Sequence, residues 1–457
     1  MPMTSVPDTG TAGGESVGAG PERIGAFASF RVRNFSLIWT ASLMSSTGTW
    51  LQNVAVPFVV FGLTGSGAWL GFTAFMALIP LLLLGPLGGS IADRFNRRTV
   101  LLLGSAVQGV FTIALWLTWV AGVRSVAVLI VLVTASSCVS GLTVASWQAF
   151  VTEVVPRRLL LNAVTLNSAQ FNAARAFGPA LGGLVLATLG VSWAFFFNAL
   201  SFFALTIGLL MVRVVRIERP PRTGRSRAVA EMWVAAKYAR TEPGIMAALV
   251  VVFTLGLLGG PLFNLLVVFA QDVYDVGDEA YGLLAACLGA GAILSAPLIA
   301  GWGSRQARSF MVSLAMVAYG LALIVFATAP TLLVGAVALF VVGAGYLGIA
   351  STLNTTVQLQ VTEAMRGRVI ALYVMSLTAA MPLGSLIQGA LVDVIGPQTT
   401  VAGAGVVFLV VFVVLRFGVG LFGAMDDLSG PVATPDADEV RLAVAETDAA
   451  EAVFDGR

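Results

Sequence analysis

The chain has no histidine, one lysine and two cysteines, and only 11% of its 457 residues are charged. Without histidine it lacks the usual zinc ligand and the side chain that shuttles protons near neutral pH. The lysine, Lys237, does not follow a Gly-rich loop, so a Walker A phosphate cradle is missing and ATP hydrolysis by that route is excluded. Cys138 and Cys287 both lie inside apolar runs and read as small packing residues, not as a disulfide or a metal pair. No nucleophile–base or metal constellation is visible, so we expect no enzyme chemistry, no metal and no cofactor.

What the chain has is hydrocarbon. Apolar residues make up 58% of it, and mean hydropathy is +0.93, far from a soluble domain's. Twelve apolar runs are long enough to cross a bilayer as helices, at about 35–63, 67–90, 98–121, 125–149, 159–188, 192–213, 245–271, 280–302, 309–328, 331–355, 368–395 and 399–423. Residues 1–22 lack the basic start and apolar core of a signal peptide and read as a disordered tail. Residues 23–213 then form one set of six spans and 243–424 a second. Between them, 214–242 is a basic linker containing an amphipathic helix with Met232, Trp233 and Ala236 on one side. Residues 425–457 form an acidic tail, expected to be disordered. Arg94, Arg97, Arg98, Arg157, Arg158, Arg305, Arg308, Arg366 and Arg368 all fall in alternate loops, and the linker adds more. Positive loops stay inside, so both termini are expected in the cytoplasm of a multi-pass protein of the cell (inner) membrane.

The two sets repeat. Gln148-x2-Val-Thr-Glu153-x4-Arg158 recurs as Gln358-x2-Val-Thr-Glu363-x4-Arg368, shifted by 210 residues, and the same shift carries Arg98 onto Arg308. A six-span repeat builds many secondary transporters, with the substrate site between the halves near mid-membrane.

Between the second and third runs stands Gly89-x3-Asp93-Arg94-x2-Arg97-Arg98. This order resembles the signature loop of the major facilitator superfamily, whose usual Gly is replaced here by Asn96, a residue that tolerates a left-handed turn. Ser45-Ser46-Thr47-Gly48-Thr49-Trp50-Leu51-Gln52, Leu-Thr-Gly-Ser at 63–66, and Asn-x6-Ala-Arg-Ala-x-Gly-Pro ending at Pro179 are similar to the bacterial enterobactin-exporter-like branch, the transmembrane secretion effectors. Many members of that branch have an acid where this chain has Thr49. The resemblance implies an all-α fold of twelve transmembrane helices in two six-helix bundles. It also implies a cytoplasmic gate made by Gly89, Asp93, Arg94, Arg97, Arg98, Glu153, Arg158, Glu363 and Arg368. Asp93 is expected at the start of the eleventh span beside Arg368, with Arg97 or Arg98 on Glu153.

Ionised or polar groups within a span are costly, so each survivor is a candidate site. Thr49, Trp50, Gln52 and Asn53 on span 1 and Ser168, Asn172 and Arg175 on span 5 are expected to line a central cavity. Arg175 reads equally as a substrate-charge reader or as a structural arginine bonded to helix carbonyls. Gln170, Asn264, Tyr346, Tyr373 and Gln388 are further candidates of the same kind. Gly178, Pro179, Gly182 and Gly183 match the core of an exporter motif and suit close helix packing at a bend. Asp393, near the outer end of span 11, is the candidate proton-coupling acid or else a hydrated end residue. The function expected is a monomeric secondary transporter in the lipid bilayer that exports a small amphipathic or anionic compound, with protons as candidate coupling ion and no nucleic-acid partner. Uptake, lipid flipping, or a non-transporting receptor or scaffold are the alternatives.

Overall fold

Among the described residues all regular structure is helical, as a bilayer demands of any span that must satisfy its own N–H and C=O groups. The computed structural model describes residues 25–212, 228–274 and 277–427, without the side chains of 172, 175, 176, 228–230 and 277–279. The expected N-terminal tail, most of the basic linker and the acidic tail from 428 onward therefore lie outside the described residues.

The helices are α1 (Arg33–Thr64), α2 (Gly67–Arg94), α3 (Arg97–Val120), α4 (Val126–Glu153), α5 (Leu160–Leu189) and α6 (Val191–Met211). They are followed by α7 (Ala228–Thr241), α8 (Pro243–Thr254), α9 (Leu262–Val268), α10 (Gly277–Gly301), α11 (Arg308–Ala327), α12 (Leu332–Gln360), α13 (Arg366–Ile395) and α14 (Pro397–Val413). Among the described residues ten segments are long and apolar enough to cross a membrane: α2, α3, α4, α6, the continuous α8–α9 stretch, and α10 to α14. Of the helices outside that set, α7 is short, whereas α1 and α5 are 32 and 30 residues long but more polar. Among the described residues α5 contains the apolar stretch Phe177–Leu189. α1 and α5 are the helices to which the sequence assigns most of its cavity residues.

Short polar side chains start the helices where the sequence turns. Ser66, Asn96, Ser125 and Thr331 each accept a hydrogen bond from the backbone N–H three residues on, capping α2, α3, α4 and α12. Asn96 does this from an extended backbone, φ −65°, so it is a cap and not the left-handed turn its residue type permits.

Packing follows a pattern that occurs twice. α2 packs on α4 as α10 packs on α12, α3 on α4 as α11 on α12, and α3 on α6 as α11 on α14. The arginine that begins each third helix is used alike. Arg98 donates to the carbonyls of Leu209 and Leu210 at the end of α6, at 2.8 and 2.9 Å, and Arg308 donates to the carbonyl of Asp426 beyond α14, at 3.3 Å. The Asp426 carboxylate in turn accepts from the Ser309 N–H at 3.0 Å. The segment expected to be tail from residue 425 thus begins with an anchored turn, with Met425 fully buried. Two further contacts, α2 on α13 and α5 on α10, join the first set of helices to the second.

The amphipathic helix of the linker is α7, and its buried face is Val234, Ala235, Tyr238 and Ala239. Trp233, on the face singled out from the sequence, is exposed and lies 6.0 Å from the Arg240 guanidinium.

Candidate functional site

A cavity of about 730 Å³ opens between the two sets of helices. From α1 it takes Trp50, Gln52 and Asn53, from α5 Phe177 and Pro179, from α9 Phe263 and Asn264, and from α12 Tyr346. Among the described residues its lining carries no ionised side chain and is mostly apolar. The Trp50 and Phe263 rings meet edge to face, 5.7 Å between centroids, and so join α1 to α9 across the cavity.

The polar face of α1 is divided between two duties. Asn53 is exposed to the cavity. Gln52 also lines it, but its amide oxygen accepts from Asn198 of α6 at 2.7 Å. Ser42 and Ser46 meet the two ends of the Gln170 amide, at 3.1 and 3.0 Å, tying α1 to α5. Thr49 turns its hydroxyl onto the carbonyl of Ser45, one turn back, at 2.9 Å. Thr49 and Ser168 are not among the lining residues. The side chains of Asn172 and Arg175 lie outside the described residues. Of the further candidates, Asn264 and Tyr346 line the cavity, whereas Tyr373 donates to the carbonyl of Ala350 and Gln388 to those of Leu257 and Leu258.

Gly178, Gly182 and Gly183 lie along the tight contacts of α5. The first two leave no room for a Cβ against Trp50 and Val54 of α1, and Gly183 sits on the backbone of Gly282 of α10. Pro179 is buried between them.

The two ends of the cavity differ. At one end α2 and α13 are in backbone contact, Gly71 against Gly389 and the carbonyl of Ser385. There the Asp393 carboxylate at the end of α13 accepts three hydrogen bonds from the start of α2: from Ser66 Oγ at 2.6 Å, Gly67 N at 2.6 Å and Ala68 N at 3.1 Å. Asp393 is therefore not part of the cavity lining; it caps a helix of the other set.

At the opposite end Asp93, Arg94, Arg158 and Glu363 are exposed and Gly89 is half-buried, and Asp93 makes no hydrogen bond or ion pair among the described residues. The expected pairing of Asp93 with Arg368 is not among the ion pairs of the described residues. Arg368 instead lies 4.0 Å from Glu231 of α7 and 3.7 Å from the Met365 sulfur. Arg97 does pair with Glu153, but the pair links α3 to α4 inside one set of helices and does not bridge the two sets. The repeat has no second copy of it, since the position matching Arg97 is Ala307. Sequence reasoning missed the pairing of Ser66 with Asp393, which lie 327 residues apart. The available signal was an acid at the end of one span and a Ser-Gly helix start at the matching level of another.

A sequence-family profile described as transmembrane secretion effector matches residues 24–447. Among curated relatives, the uncharacterized MFS-type transporter YfiS of Bacillus subtilis is 26% identical over 398 residues, covering 82% of this chain and 90% of its own. The multidrug efflux pump Tap of Mycobacterium tuberculosis is 27% identical over 380 residues, covering 80% and 88%. The enterobactin exporter EntS of Escherichia coli is 25% identical over 389 residues, covering 83% and 90%. Among solved structures, the nucleoside transporter NupG superposes with a TM-score of 0.67 at 14% identity, covering 86% of this chain and 98% of that one, a likeness of fold.

Proposed function

The chain belongs to the transmembrane secretion effector family of major facilitator transporters, and on that premise we propose that it exports small amphipathic compounds by alternating access. The observation that carries this is the cavity of about 730 Å³ between the two sets of helices, apolar in most of its lining, with Gln52, Asn53 and Asn264 as hydrogen-bonding groups. Such a lining suits a ligand with a large apolar surface and few polar atoms. Export is the direction named for Tap and EntS.

In this reading twelve spans form two six-helix bundles, 23–213 and 243–424, acting as a monomer. The lengths of α1 and α5, and the packing pairs and arginine contacts that occur twice, support it. The arginine-bearing end faces the cytoplasm, by the positive-inside rule. The Ser66–Asp393 end faces out, so the structure is the inward-open state. Asp93, with Arg94, Arg368 and Glu363, closes the inner end in the opposite state, where the start of α13 offers the Asp93 carboxylate free N–H groups. Protons are the proposed coupling ion. With Asp393 occupied at α2, their acceptor is a group other than the acid first singled out.

The test is accumulation of a neutral dye, Nile red, and a cationic one, ethidium, in inside-out vesicles carrying the protein and an imposed proton gradient. Uphill, gradient-dependent accumulation of either supports the reading. No accumulation above vesicles bearing Asp93→Asn, at equal protein content, overturns it.

A further inference from the structure

The antiparallel pair α2 and α13 ends in an acid at each helix's C-terminal end. Asp93 lies one residue from the end of α2, and Asp393 two residues from the end of α13. Because the helices run in opposite directions, each acid belongs to the end of the membrane at which the other helix begins. A helix start presents backbone N–H groups without intrahelical partners and a positive dipole end, so each is built to receive a carboxylate. At the outer end that match is made, with three donors from α2 converging on Asp393. At the inner end Asp93 is exposed and unengaged.

We propose that Asp393 is the outer latch of the transporter: its carboxylate on the start of α2 holds the outward path shut, and outward opening requires the release of these hydrogen bonds. The proposal rests on the orientation given above.

Three features support it. The bonds run between the two sets of helices, so they cannot persist if those sets separate at this end. The donors include two backbone N–H groups, which no substitution on α2 other than proline removes, so the carboxylate is the element on which the contact depends. Directly below, Gly67 packs on Val392 and Gly71 on Gly389, which brings the helix backbones close enough for a short aspartate to reach. On the other side of the cavity Gly183 meets Gly282 without a polar contact between them, so among the described residues the outer seam is polar at α2–α13 and apolar at α5–α10. Opening therefore breaks charge-assisted bonds on one side and slides a smooth contact on the other, which makes Asp393 the point at which the balance between the two states is set.

The test uses the full chain cleared of Cys138 and Cys287, with Ala77, a small cavity-lining residue of α2, replaced by cysteine as a reporter. A membrane-impermeant maleimide is applied to intact cells and, separately, to inside-out vesicles. The parent should label slowly from outside and quickly from the cytoplasmic face; the reverse pattern in the parent would refute the orientation, whatever Asp393 does. Asp393→Ala should raise the outside rate about tenfold and lower the inside rate, and Ser66→Ala, which removes one of the three donors, should raise the outside rate by a smaller factor of about three. Ser66→Ala keeps the carboxylate and both backbone donors, so it remains informative if Asp393→Ala reaches the membrane poorly. Outside rates within about twofold of the parent for each variant that reaches the membrane would overturn the latch.

Discussion

The side-chain amide of Gln388 on α13 donates to the carbonyl oxygen of Leu257 at 3.0 Å, where the long span α8–α9 breaks. Pro261 has no N–H to give to the carbonyl four residues earlier, which is that of Leu257, and Gln388 supplies the missing donor. It also donates to Leu258 at 2.9 Å. A π-helical turn, Leu255–Gly259, occupies the same break, and Gly259 at its end and Gly260 just after it line the cavity.

Gln388→Leu should therefore leave two carbonyls without this donor in a region with little water. The expected cost is about 1–3 kcal/mol. It is checked as an earlier unfolding midpoint of the detergent-purified protein, and Gln388→Asn, too short to reach, should not restore it.

The pairing of Arg97 with Glu153 lies inside one set of helices, with both side chains mostly covered, at 16% and 13% exposure. Removing either partner breaks the ion pair in a mostly covered place, so Arg97→Gln and Glu153→Gln should each cost about 1–3 kcal/mol. The double variant should be little worse than either single one. Additive losses in a double-mutant cycle would show that the two residues act independently.

The extent to which this was legible in the sequence depends on the range of the interaction. Spans were legible because hydrocarbon imposes about 20 apolar residues on each. The sequence suggests a repeat because Glu153 and Glu363 stand in the same short pattern, and helix packing pairs that occur twice are in keeping with it. Which way a polar group faces was not legible. Thr49 looks like a cavity residue along α1, yet its hydroxyl turns back onto the Ser45 carbonyl, and Gln52 lines the cavity while its amide oxygen is taken by Asn198, whose register only tertiary packing sets. Asp393 read as a lone acid at a span end because Ser66, its partner, is a distant capping residue. Asp93 and Arg368 form no ion pair among the described residues, and under the alternating-access reading proposed above their contact belongs to the state in which the inner end is shut.

The division of α1 gives a prediction within the cavity. Thr49→Val should leave dye transport within about twofold of the parent, because the Thr49 hydroxyl is turned onto its own helix. Asn53→Ala and Trp50→Ala should lower it by about three- to tenfold, since one removes an exposed amide and the other the ring that meets Phe263. Transport rates at matched protein content decide this, and equal effects at positions 49 and 53 would refute the assignment.

Gly183 lies with its α-carbon against Gly282, where any side chain must push α5 away from α10. Gly183→Val should reach the membrane in near-normal amount but label from outside at the Ala77→Cys reporter several times faster. A normal labelling rate would mean that the contact yields without opening the outer end.

Alternating access itself is tested most directly by two distances in one protein. Spin labels at positions 69 and 394 report the outer end, and labels at positions 95 and 367 report the inner end; three of these residues are large exposed side chains and the fourth, Gly367, faces open space. With the cysteines at 138 and 287 removed, each pair is measured by pulsed electron resonance in lipid, for the parent and for Asp393→Ala. The account predicts a short outer and a long inner distance in the parent, and in the variant a longer outer distance together with a shorter inner one. Outer and inner distances that lengthen together, or an inner distance unchanged while the outer one opens, would contradict it.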